Sequence, residues 1–174
     1  MVLKIAVVVV ILLVAVLAYA ATRPDRFRLE RTTSIKASPD KVFALINDFH
    51  QWGVWSPWEK LDADLKRDFS GTAAGVGAVY AWEGNKTGVG RMEITESSPA
   101  SLIKIKLDFF KPFEAHNTAE FSLRAQGDET IVTWAMYGPS SYVSKLMGIV
   151  FDIDKMVGKE FESGLAKMKS ATEQ

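Results

Sequence analysis

An α+β domain, with an antiparallel sheet covered by a long C-terminal helix and a membrane-spanning helix ahead of both, is the fold class this sequence predicts. Three observations predict it. Over residues 141–169, Leu146, Val150, Ile153, Val157, Phe161, Leu165 and Met168 recur at steps of three and four, which marks one face of an α-helix. Before them, Ile103, Ile105, Leu107 and Phe109 alternate with Lys104, Lys106 and Asp108, and Val132, Trp134 and Met136 alternate with Thr133, Ala135 and Tyr137. That two-residue period belongs to half-buried strands. Residues 5–21 form an apolar run interrupted only by Tyr19.

The apolar run is bounded by Lys4 and Arg23 and lies at the short end of a bilayer span, about 17–25 residues. Residues 1–22 are therefore expected to be a retained single-pass anchor that contacts the lipid bilayer through residues 5–21, with residues 23–27 as a juxtamembrane linker. Ala18-Tyr19-Ala20 also fits the small-residue pattern of a cleaved signal peptide, which is the alternative. Arg23, Arg26, Arg28 and Arg31 outnumber Lys4 across the run, and an excess of positive charge marks the cytoplasmic flank. A cytoplasmic domain follows if the run is retained, and a periplasmic or extracellular one if it is cleaved.

Residues 27–36 read as the first strand. Ser38 then supplies an N-cap, Pro39 the first helical position and Asp40 an acidic first turn, so a helix runs to about residue 48 with Val42, Leu45, Ile46 and Phe49 on its buried side. Gly53 and Pro57 break the next segment into short turns. Further strands fall at residues 65–70, 78–83, 88–96, 102–109, 116–125 and 130–137. Gly84-Asn85 and Gly127-Asp128 provide hairpin connections, and Ser97-Ser98-Pro99 separates two other strands. Residues 28–170 make one domain and 171–174 a tail. About 145 residues is an ordinary single-domain length with ample core.

Composition narrows the function. Acidic and basic residues balance at 21 each, and no basic cluster stands out, so nucleic-acid binding is not expected. The chain has no cysteine, which removes disulfides, thiolate nucleophiles and cysteine metal sites. His50 and His116 lie far apart without metal or catalytic spacing and are expected at the surface. Glu59 and Asp62, beside Lys60 and Asp64, read as a solvated loop, and Arg91 with Glu93 as a solvent-facing ion pair. Gly71, Gly75 and Gly77 lack a phosphate-binding pattern and read as turns. No catalytic residue, metal site or cofactor is expected.

Several stretches carry a resemblance. Ala37-Ser38-Pro39-Asp40-Lys41-Val42-Phe43 opens the first helix, Trp52-Gly53-Val54-Trp55-Ser56-Pro57-Trp58 comes after it, and Gly75-Val76-Gly77 precedes Tyr80-Ala81-Trp82-Glu83-Gly84-Asn85. With Gly90-Arg91-Met92-Glu93-Ile94, Lys111-Pro112-Phe113 and Val132-Thr133-Trp134, the chain resembles a polyketide cyclase/dehydrase-like member of the SRPBCC superfamily, the START and birch-pollen-allergen-like proteins. The resemblance covers roughly residues 28–169. It implies the helix-grip fold, in which a seven-stranded sheet wraps around the C-terminal helix and leaves a hydrophobic pocket, while the fold alone leaves the activity open.

On that fold, strand parity turns Tyr80, Trp82, Met92, Ile94, Phe121, Leu123 and Trp134 to the face that meets the helix. Ile105, Leu107, Phe109, Met136, Val157, Phe161 and Gly164 complete the expected pocket lining. Trp52, Trp55 and Trp58 either form its entrance or seal the helical corner against the sheet. The expected function is binding or transport of a small hydrophobic ligand, lipid-like or polycyclic. A cyclase or hydrolase acting on such a ligand is the alternative, and a partner-binding module without a ligand is the third reading.

Overall fold

The computed structural model describes residues 2–173. Its strands are β1 (Arg26–Ile35), β2 (Lys66–Gly71), β3 (Ala78–Gly84), β4 (Gly88–Ser98), β5 (Leu102–Lys111), β6 (Ala115–Gln126) and β7 (Glu129–Pro139). They form one antiparallel sheet in the order β1-β7-β6-β5-β4-β3-β2, so the first strand closes on the last, from Arg26 opposite Pro139 to Ile35 opposite Thr130. The start of β1, the end of β7, the β5–β6 connection and the β3–β4 hairpin consequently share one end of the sheet.

Helix α1 (Val2–Thr22) leads into that end. Its side chains are exposed apart from Ala20, and by length and composition it meets the requirement of a membrane span and equally that of a signal sequence. Helix α2 (Pro39–Asn47) begins as its sequence dictates: the Ser38 side chain accepts from the Lys41 N–H, and Val42 and Ile46 turn inward. A 3-10 turn (Phe49–Gln51), helix α3 (Trp52–Trp55) and a second 3-10 turn (Pro57–Lys60) make the corner. The Trp52 and Trp55 indole N–H groups donate to the Ile46 and Leu45 carbonyls at 3.1 and 3.0 Å, tying this corner to the end of α2.

The continuous helix expected over residues 141–169 is two helices, α4 (Tyr142–Val150) and α5 (Ile153–Thr172). The apolar period runs through the break, but backbone capping decides it. Phe151 is extended, and the Asp152 side chain accepts from the Lys155 N–H at 3.0 Å, so it starts a new helix where an interior position would leave it competing with the backbone. Phe161, Leu165 and Met168 are buried on the sheet with Val157 partly so, whereas Val150 and Ile153 are exposed.

Arg31 on β1 fixes α5 in place. Its guanidinium reaches Asp154 at 3.0 Å and Glu162 at 2.8 Å, two residues on one side of the helix, and their hydrogen bonds raise its pKa. Gly158 lies under it, where a Cβ would collide with the guanidinium. Gly164 permits a second close approach, because a Cβ there would stand 2.9 Å from Cζ3 of Trp134 and 3.1 Å from Cδ of Pro57. Gly164 is thus a packing glycine and leaves the predicted pocket lining. Gly164→Leu should overfill this contact and lower stability by about 1–3 kcal/mol, read as a fall in melting temperature; an unchanged melting curve would contradict the packing assignment.

Candidate functional site

The inner face of the sheet does not close completely on α5. Tyr80, Trp82, Met92, Leu107, Phe109, Ala119, Trp134 and Met136 from the strands face Val157 and Phe161 of the helix across a cavity of about 320 Å³. Trp52, Ser56, Trp58, Glu59, Leu61 and Leu65 come from the corner, and Lys86 and Thr87 from the β3–β4 hairpin. The wall is mostly apolar with a few polar groups, the usual character of a small-molecule site.

One polar group is a three-residue network. Glu59 accepts a hydrogen bond from the Tyr80 hydroxyl at 2.7 Å and pairs with Arg67 at 2.7 Å, while its own side chain is almost wholly buried. Burial and the Glu59 carboxylate push the Tyr80 phenol above its ordinary pKa, so it stays a proton donor. A second polar group is unsatisfied. Trp134 is buried, and its indole N–H is the one buried side-chain polar group without a partner among the described residues. Its ring stacks on Phe161 with centroids 4.0 Å apart and on Phe121 at 4.9 Å, and Trp55 and Trp58 meet it edge-on.

Asp62 builds the rim. Its carboxylate accepts from the Lys86 and Thr87 N–H groups and from the Thr87 hydroxyl, holding the β3–β4 hairpin over the cavity. Desolvation opposes its charge, but those hydrogen bonds prevail and hold its pKa below the ordinary value.

Of the predicted lining, Tyr80, Trp82, Met92, Leu107, Phe109, Trp134, Met136, Val157 and Phe161 reach the cavity wall. Ile94, Ile105, Phe121 and Leu123 have the correct parity but pack in the surrounding core, as does Gly164. The three tryptophans divide: Trp55 seals the corner, while Trp52 and Trp58 also border the cavity. The sequence reading missed Glu59 and Asp62, which are buried and bonded where a solvated loop was expected. Their partners, Tyr80, Arg67 and Thr87, come from β3, β2 and a hairpin, and no local spacing announces them. Ala119 was missed because its small side chain carries no aromatic or charged signal.

The family profile described as polyketide cyclase / dehydrase and lipid transport matches residues 26–173. No curated protein matches. Among solved structures, the chain is similar to the ginseng (Panax ginseng) major latex-like protein 151, with 16% identity, a TM-score of 0.61, and 86% of this chain and 99% of that one covered. It is also similar to the Aha1 dimer from Colwellia psychrerythraea, with 19% identity, a TM-score of 0.58, and 84% and 96% covered. Protein CV1439 from Chromobacterium violaceum gives 14% identity, a TM-score of 0.60, and 87% and 99% covered. At these identities the likeness is one of fold.

Both histidines are largely exposed, as expected, and outside the cavity wall, and each has a carboxylate partner that the sequence reading did not anticipate. His50 meets Asp48 at 2.8 Å; His116 meets Asp108 at 2.7 Å and Glu114 at 3.2 Å. The hydrogen bond that His116 donates to Asp108 raises the His116 pKa above 6.5. Burial opposes the Asp108 charge, but the bonds from His116 and Lys106 hold its pKa below 3.8. The His116 contribution is complete below the unfolded histidine value and fades as pH rises through the raised folded one. The Asp108 contribution is complete above the unfolded aspartate value and fades as pH falls through the lowered one. The pair should therefore be strongest between about pH 4 and 6.5. In an NMR titration Asp108→Asn should return His116 toward 6.5; identical titration curves in both chains would contradict the pairing.

Proposed function

We propose, from the premise that the chain belongs to the polyketide cyclase / dehydrase and lipid transport family, that it binds and carries one small hydrophobic molecule in the cavity beside α5. The observation that carries this reading is the cavity itself, open where a filled core would have served stability better. A volume of about 320 Å³ is at the small end of ligand pockets, about 300–1,000 Å³, which suits a single acyl chain or a few fused rings rather than a two-tailed lipid.

The orphan indole N–H of Trp134 adds a chemical requirement. An unpaired buried donor costs about 1–3 kcal/mol, and a ligand oxygen would recover part of it. The preferred ligand therefore carries a carbonyl, ether or hydroxyl oxygen on an otherwise apolar frame. Desolvation of the frame supplies the affinity and the oxygen its orientation.

A cyclase-type reading has one supporting observation, the Glu59–Tyr80–Arg67 network at the wall. Tyr80, held protonated, would donate a hydrogen bond to a polarised carbonyl. Glu59 is already committed to Tyr80 and Arg67, which favours a carrier whose polar groups position the ligand. As for the membrane, α1 supports an anchored carrier, with the domain on the cytoplasmic side by the charge bias of its flank.

Titration with a polycyclic ketone and with the hydrocarbon of equal size tests the proposal. The ketone should bind about fivefold more tightly, the worth of one hydrogen bond of about 1 kcal/mol. Ala119→Leu, which grows into the cavity, should keep or raise the melting temperature and weaken ketone binding by about tenfold. No saturable binding of either compound to the unaltered chain would overturn the proposal.

A further inference from the structure

We infer that α4, the start of α5 and the β5–β6 connection form a membrane-docking surface that seats the cavity mouth against the bilayer. The inference rests on the reading of α1 as a retained anchor. It begins from the unexpected break at residue 151. Val143, Met147 and Val150, at i, i+4 and i+7, share one face of α4 and are exposed, Val150 to 76%. Phe151, Ile153 and Met156 continue the exposed apolar surface into α5. Phe110, near the end of β5, and Phe113, on the β5–β6 connection, add two exposed aromatic side chains at the same end of the sheet. So many exposed apolar side chains at one end exceed what scattered surface hydrophobics require.

Lipid is the partner that position and chemistry select. Helix α4 packs on α1, and the Tyr142 hydroxyl donates to the Leu17 carbonyl at 2.9 Å. Leu17 lies five residues before the helix end at Thr22, about 7.5 Å along the axis. If α1 crosses the bilayer, α4 is held at the depth where interfacial helices bury their apolar faces, about 5–10 Å below the headgroup boundary. Lys145, the one charged residue of α4, is turned inward and paired with Asp25, leaving the apolar face without charge. Arg23 and Arg26 flank α1 at headgroup level, where positive side chains meet phosphate.

The surface borders the site. Val157 of the cavity wall directly follows Met156, and Lys86 and Thr87 of the rim lie on the hairpin at the same end of the sheet. Docked in this way, the mouth faces the acyl region, and an apolar ligand passes between bilayer and cavity without crossing water.

The native chain has no cysteine, so single cysteines carrying an environment-sensitive fluorophore can report depth in the full chain reconstituted in phosphatidylcholine vesicles. Labels at V150C, M156C and F113C report the docking face, V10C the anchor, and D128C, at the opposite end of the sheet, the aqueous baseline. Lipids bearing a nitroxide high on the acyl chain should quench the three docking labels at least twice as strongly as D128C, and a deep nitroxide should quench V10C. Quenching at V10C with docking labels that behave like D128C would leave the anchor standing and overturn the docking. Docking labels quenched without V10C would uphold the docking and remove the anchor. Quenching at neither group would overturn both. Docking labels that are blue-shifted but untouched by nitroxide would mean that protein covers the face, and would also overturn the inference.

Discussion

The stack of Trp134 on Phe161, with centroids 4.0 Å apart and planes 5° from parallel, is the contact on which the domain depends. It joins the sheet to α5, and Phe121 stacks on the same indole from within the sheet. Toward Gly164 and Pro57 the packing is so close that a Cβ on the helix has no room. The same residue lines the cavity, and its indole N–H has no partner among the described residues. One side chain thus sets how near the helix comes and forms part of the cavity wall. The Arg31 clamp at the first turns of α5 supports this arrangement by fixing the helix on β1, independently of the aromatic cluster.

Around that contact the polar groups are arranged so that the cavity persists. Glu59, Tyr80 and Arg67 satisfy one another at the wall, and Asp62 pins the hairpin at the rim. Neither network needs a ligand. The Trp134 N–H has no partner among the described residues, and the oxygen of the proposed ligand would supply one.

Periodicity carried most of the fold. Alternation in β5 and β7 and the Ser38-Pro39-Asp40 start of α2 are local signals, and the strands fall within two residues of where alternation and turn chemistry place them. Parity also brought most of the cavity wall to the correct face. It could not separate Leu107, at the wall, from Ile105, sealed in the core, because both share a face and differ only in position along β5. The break between α4 and α5 was hidden for a different reason: the apolar period runs through it, and the deciding fact is one capping hydrogen bond accepted by Asp152 from the Lys155 N–H. Glu59 and Asp62 were misread because burial of a charge depends on partners distant in sequence.

The central claim is that the cavity receives an oxygen-bearing ligand at the Trp134 N–H. The indole N–H resonances of the five tryptophans report on it directly. On addition of a polycyclic ketone, the Trp134 signal should move to lower field as it gains an acceptor, while that of Trp55, already bonded to the Leu45 carbonyl, should stay nearly fixed. A Trp134 signal that does not move while the ketone binds elsewhere, or an indole spectrum unchanged at saturating ketone, would contradict the account.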